Sequence, residues 1–86
     1  MQLFKKIPFN HGEKKYEFCI FFEENLINIS TFQNNYPANG FRYQIQIPKN
    51  VEIGKILVEE NFSDFIDLAK TDIIENRWQK FTQLFG

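Results

Sequence analysis

Lys15-Tyr16-Glu17-Phe18-Cys19-Ile20-Phe21-Phe22-Glu23-Glu24-Asn25-Leu26-Ile27-Asn28-Ile29-Ser30-Thr31-Phe32 is the stretch that decides the fold. Aromatic and β-branched residues fill both halves, the composition that suits a pleated, half-buried surface. The polar break at Glu23 to Leu26 reads as a hairpin turn. With Glu24-Asn25 as a two-residue loop, Glu23 pairs with Leu26, Phe22 with Ile27, Ile20 with Ile29 and Phe18 with Thr31. Asn25 is the loop residue expected to take the left-handed conformation. Side chains alternate with period two. One face then gathers Tyr16, Phe18, Ile20, Phe22, Ile27, Ile29 and Thr31, a core wall. The other gathers Glu17, Cys19, Phe21, Glu23, Leu26, Asn28, Ser30 and Phe32. A slip of one residue would turn the apolar set toward water, so burial selects this register.

Upstream, Leu3 to Phe9 reads as a strand that Pro8 confines to an edge. A tight turn at His11-Gly12 would pair Ile7 with Tyr16, Lys5 with Phe18 and Leu3 with Ile20. Lys5 then points inward on the outermost strand, a guard against edge-to-edge aggregation. Downstream, Gln33 to Gly40 is dense in turn formers and reads as a loop. Phe41, Tyr43, Ile45 and Ile47 alternate with Arg42, Gln44 and Gln46, and Pro48 ends that strand. Sequential strands usually neighbour each other, which predicts a four-stranded antiparallel meander.

The period changes after Asn50. Val51 to Val58 reads as a short helix capped at Asn50 in preference to a fifth strand, although Gly54 weakens both. Asn61 is a candidate cap for a helix whose Phe62, Phe65, Ile66, Ala69 and Ile73 share a face. The stripe then rotates to Ile74, Trp78, Phe81 and Phe85. Asp72 and Glu75 have capping-box spacing, which predicts a kink or restart near Thr71. A sheet face this rich in Phe and Ile needs a lid. The predicted fold is therefore α+β: a four-stranded antiparallel meander with one face covered by a C-terminal helix or kinked helix pair. It forms one domain over 1–86, with strands in 1–48 and helices in 49–86.

Eleven phenylalanines in 86 residues let a short chain fill a core from few positions. Net charge is −1, which argues against a dedicated binder of nucleic acid or anionic membrane. The charge is uneven: Lys5, Lys6, Lys14 and Lys15 lie near the start. Between Asn50 and Asn76 lie Glu52, Glu59, Glu60, Asp64, Asp67, Asp72 and Glu75 against only Lys55 and Lys70. A single cysteine excludes an internal disulfide and disfavours a zinc site. The first residues lack the apolar core of a secretory signal, and no run is long enough to span a membrane, so the cytoplasm is the expected compartment.

No catalytic constellation emerges. His11 sits in an Asn-His-Gly turn without a spaced partner. Cys19, flanked by Phe18 and Ile20, reads as a small apolar filler. Asp64/Asp67 and Asp72/Glu75 read as charges on helix surfaces near their first turns. The four glycines form no phosphate-cradling loop. The chain is thus expected to be non-enzymatic, without metal or cofactor. The outer sheet face is the candidate site: Phe21, Phe32 and Phe4, with Cys19, Leu26, Arg42, Gln44 and Gln46. Aromatics and Arg favour protein association there, with a partner or with a second copy. Two alternatives use other chemistry. Single-stranded nucleic acid would stack on the phenylalanines and meet Lys6, Arg42, Gln44 and Gln46, opposed by Glu17 and Glu23. An acidic inhibitor of immunity or antitoxin type would hold a basic partner through the acidic Glu52–Glu75 segment, Glu59, Glu60 and Asp64 among its charges.

Overall fold

A computed structural model describes residues 1–60 and 62–84. Four strands, β1 (Gln2–His11), β2 (Lys14–Glu23), β3 (Leu26–Gln33) and β4 (Tyr36–Gln46), precede three helices, α1 (Ile53–Glu59), α2 (Ser63–Ile74) and α3 (Arg77–Gln83). The strands form an antiparallel meander in the order β1-β2-β3-β4, and the helices pack on one face of it.

The central hairpin has the register that burial selects: Glu23 opposite Leu26, Phe22 opposite Ile27, Ile20 opposite Ile29, Phe18 opposite Thr31. Phe18, Ile20, Ile27 and Ile29 are the largest fully buried side chains. Leu57 of α1, Phe62, and Ile66 and Ala69 of α2 close over them in one apolar cluster, with Phe65 and Ile73 at its margin. The positive φ of the turn falls on Glu24 (49°) and not on Asn25.

Three local expectations are corrected. The β1–β2 turn is Gly12-Glu13, so Ile7 pairs with Phe18 and Phe9 with Tyr16, two residues away from the His11-Gly12 register. Gly12 at φ 63° takes the first loop position, where a positive φ is needed and glycine has no Cβ to strain. A shift of two preserves parity, so Lys5 stays on the inner side, opposite Ile20. A bulge between Leu3 and Lys5 then reverses parity. Leu3 comes to lie opposite Phe21 on the outer face, while Phe4 joins Ile20 and Leu57 on the inner side. Phe4 is therefore not part of the outer-face patch.

Second, residues 33–40 are mostly strand. Asn34 and Asn35, at φ 53° and 68°, make a two-residue turn, since Asn tolerates the left-handed region. β4 begins at Tyr36, with Pro37 tolerated because the strand is an edge. An irregularity follows. Phe32 pairs with Pro37, but Ser30 pairs with Arg42, so β4 carries extra residues around Gly40.

Third, the helical breaks lie elsewhere. α1 starts after Glu52, not at an Asn50 cap, and α2 is preceded by Phe62 in the left-handed conformation at φ 56°. The expected cap at Asn61 and the apolar Phe85 fall outside the described residues. α2 runs to Ile74 and stops at Asn76, φ 52°, past the restart expected near Thr71. Ile74, expected on the apolar stripe, is exposed.

α3 docks on β4 through aromatics. Phe41 meets Trp78 edge-on at 5.2 Å, and Trp78 stacks with Phe81 at 5.7 Å. The Trp78 ring lies on Gly40. A Cβ there would stand 2.6 Å from Cζ2 and 2.7 Å from Cζ3. Gly40→Ala is expected to cost about 1–3 kcal/mol by overpacking and to lift α3 from the sheet. Fluorescence of the single tryptophan reads this directly: the emission of folded Gly40→Ala should shift to the red. Unchanged emission and stability would refute the close approach.

Candidate functional site

The outer face of the sheet has no helix on it among the described residues. Register places its side chains in rows: Leu3, Phe21, Asn28 and Gln44; Lys6, Cys19, Ser30 and Arg42; Glu23, Leu26 and Gln46; Glu17 beside Phe32. Phe21 and Phe32 stand two rows apart and meet edge-on, ring centroids 6.1 Å apart. Cys19 lies between their rows and is only 4% exposed although no helix covers it. With Leu3, Lys6 and Glu17 these three residues line a depression of about 230 Å³. The two rings are half-buried, while Arg42, Gln44 and Gln46 stand exposed along β4.

Burial raises the Cys19 thiol above its ordinary pKa; Lys6 opposes that shift and Glu17 adds to it. A raised pKa leaves little thiolate, so the sulfur is poorly placed to act as a nucleophile. Asn28, 6% exposed, donates from Nδ2 to the Met1 sulfur at 3.4 Å. Its Oδ1 is buried without a hydrogen-bond partner among the described residues. Such an acceptor costs the fold about 1–3 kcal/mol until a donor reaches it.

Glu59, Glu60 and Asp64 lie on the helical side of the molecule, away from these rows. Glu59 and Glu60 share a depression with Phe4 and Lys5. Glu60 and Asp64 border another, of about 280 Å³, floored by Ile45, Ile56 and Phe65. The sequence candidates therefore divide into an outer-face group (Phe21, Phe32, Arg42, Gln44, Gln46) and an acidic corner between α1 and α2 on the other side.

The polar cluster that sequence reasoning missed is under the helices. Asp72, read as a surface charge, is 4% exposed. Its Oδ2 accepts a hydrogen bond from the Tyr43 hydroxyl, and its Oδ1 lies 3.4 Å from Arg77 Nη1. Arg77 also pairs with Glu75 at 2.8 Å, where both partners are substantially exposed. Burial and the adjacent Asp72 carboxylate together push the Tyr43 phenol up to about 12. Both carboxylate oxygens are engaged and the phenol holds its proton, so the cluster ties α2 and α3 to β4 and offers no free acid or base. The available signal was positional. Asp72 follows Ala69 by three residues on the buried line of α2, with a tyrosine on the wall it faces.

Among the described residues, no group of His, Cys, Asp and Glu is arranged to hold a metal ion, and no helix is long and apolar enough to cross a membrane. No family model, curated protein or solved structure matches the chain.

Proposed function

We propose that the chain is a non-enzymatic protein-association module that docks through its outer sheet face, with a second copy of itself as the partner. The observation that carries this reading is the edge-on Phe21–Phe32 pair on a face that no described helix covers. Aromatic residues at the centre of a patch, rimmed by polar ones, have the anatomy of an interface core. Charge on the face favours a like partner: Lys6 and Arg42 on the outer strands balance Glu17 and Glu23 on β2. Neither sign is in excess, so two such faces meet without net repulsion. The reading assigns the module to the cytoplasm, where a free thiol such as Cys19 stays reduced.

Light scattering coupled to size exclusion tests the proposal. Wild type should give a mass above that of one chain, rising with concentration. Phe21→Asp and Phe32→Asp, each checked for the native far-UV spectrum, should lower the mass reached at each concentration. Wild type that stays monomeric at the highest attainable concentration would overturn the self-docking reading.

A further inference from the structure

The two edges of the sheet are not defended alike. β1 has Pro8, a bulge at Phe4 and the inner-side Lys5, devices by which edge strands refuse a further strand. The first half of β4 is defended as well. Pro37 lacks an N–H, the register breaks between Ser30 and Phe32, and Asn39 Oδ1 takes the Phe41 N–H at 3.0 Å. Trp78 lies across Gly40. From Arg42 to Gln46 there is no proline, bulge or lysine.

This stretch also presents a regular set of backbone groups. Ile47 donates its N–H to the Asn25 carbonyl at 2.7 Å. Hydrogen-bonded and non-hydrogen-bonded pairs alternate along an antiparallel ladder, which makes Ile27/Ile45 and Ile29/Tyr43 the hydrogen-bonded pairs. The N–H and C=O groups of Arg42, Gln44 and Gln46 therefore point away from β3. No backbone hydrogen bond from another described element reaches them.

We infer that this edge pairs with the same edge of a second copy, antiparallel about a two-fold axis at Gln44, to give a continuous eight-stranded sheet. Outward-pointing residues must pair with outward-pointing residues, which limits the registers. Centred on Gln44, Arg42 faces the partner's Gln46, Gln44 faces the partner's Gln44, and Tyr43 faces the partner's Ile45. No like charges stand opposite each other, and a glutamine pair and an aromatic–aliphatic pair are favourable neighbours. A register displaced by two residues sets Gln46 against the partner's Gly40, where α3 already sits, or Arg42 against the partner's Pro48, which has no N–H, so the Gln44 axis alone uses all three residues. The inference needs only the open edge and does not depend on docking through Phe21 and Phe32.

Amide hydrogen exchange by NMR on the full chain, in dilute and in concentrated solution, is the test. The Arg42, Gln44 and Gln46 amides should slow by roughly tenfold or more on concentration, while those of Tyr43 and Ile45 are slow throughout. The same slowing in Phe21→Asp assigns it to the edge and not to the face. Gln44→Pro removes an outward N–H without touching the β3 ladder, and should return Arg42 and Gln46 to fast exchange. Should that variant fail to fold, Gln44→Glu serves. It sets two carboxylates across the axis, so the slowing should vanish at neutral pH and return when acid neutralises them. If the three amides exchange as fast in concentrated as in dilute wild type, the inference is overturned. It is equally overturned if slowing is lost in Phe21→Asp but kept in Gln44→Pro or Gln44→Glu.

Discussion

Phe18→Ala should lower the stability of the domain by about 3–5 kcal/mol, the cost of emptying a fully buried aromatic site. That is a large part of the 5–15 kcal/mol or so by which native domains are usually stable, and a domain of this size buries only roughly 60–65% of its unfolded surface. Phe18 has no exposed surface, sits between Ile7 and Thr31 in the sheet, and stacks on Phe9 at 5.5 Å. Across the sheet it shares the cluster of Ile66 and Ala69 on α2. A backbone held between two neighbouring strands collapses poorly into the space left behind. The measurement is urea denaturation, read as a fall in midpoint with an unchanged slope. Phe21→Ala, three residues along the same strand and on the other face, is the internal control. It should cost about 1 kcal/mol, in the ordinary range for a side chain outside the core. Equal losses from the two substitutions would mean that the faces are assigned wrongly.

The second large effect concerns Tyr43 and Asp72. Tyr43→Phe removes the hydroxyl that donates to a carboxylate only 4% exposed. Arg77, at 3.4 Å and 43% exposed, is left as its remaining partner. The expected cost is about 2–3 kcal/mol, the scale of a hydrogen bond to a buried charge. The double variant Tyr43→Phe/Asp72→Leu should regain much of that loss. Removing both partners leaves no stranded carboxylate, and apolar replacements of buried polar pairs are often neutral or better. A double-mutant cycle gives the coupling; purely additive losses would contradict the contact. Alkaline titration gives an independent reading. The Tyr43 phenol is raised from its ordinary 10 to about 12 in the folded chain. Its contribution is therefore complete below pH 10 and fades between pH 10 and about 12, as the unfolded chain ionises first. Wild type should lose stability faster than Tyr43→Phe across that window.

The central hairpin was legible because one long apolar run, broken once by polar residues, admits a single register that buries it. The same logic found Phe62 and the inner line of α2, Ile66 and Ala69, because helical spacing is as restrictive as strand alternation. Turn chemistry was harder to read. At Asn10-His11-Gly12-Glu13 either of two neighbouring pairs makes a loop, and the glycine chose the first position, shifting β1 by two residues but sparing its faces. At Asn34-Asn35 a tight turn was mistaken for the start of a longer loop. Pro37 and Gly40 are breakers in most settings, yet an edge strand accommodates both. The bulge at Phe4 left no mark in the sequence, because nothing local forbids a regular strand there. Asp72 was misplaced for a different reason. A carboxylate in a helix is usually solvated, and only the tertiary meeting with Tyr43 and Arg77 makes its burial tolerable.

Of the outer-face group, Phe21, Phe32, Arg42, Gln44 and Gln46 were foreseen from alternation alone. The register sets those two rings two rows apart, and their meeting over the Cys19 row depends on side-chain packing. The orphaned Asn28 acceptor depends on atomic packing and was invisible at that level.

The claim on which the rest depends is that all the helices lie on one side of the sheet, over Phe18, Ile20, Ile27 and Ile29. NMR relaxation of ring protons by a soluble paramagnetic agent, in solution dilute enough to hold single chains, tests it in one spectrum. Strong broadening of Phe21 and Phe32 with Phe18 untouched is the predicted result; Phe21 and Phe32 as sheltered as Phe18 would contradict it.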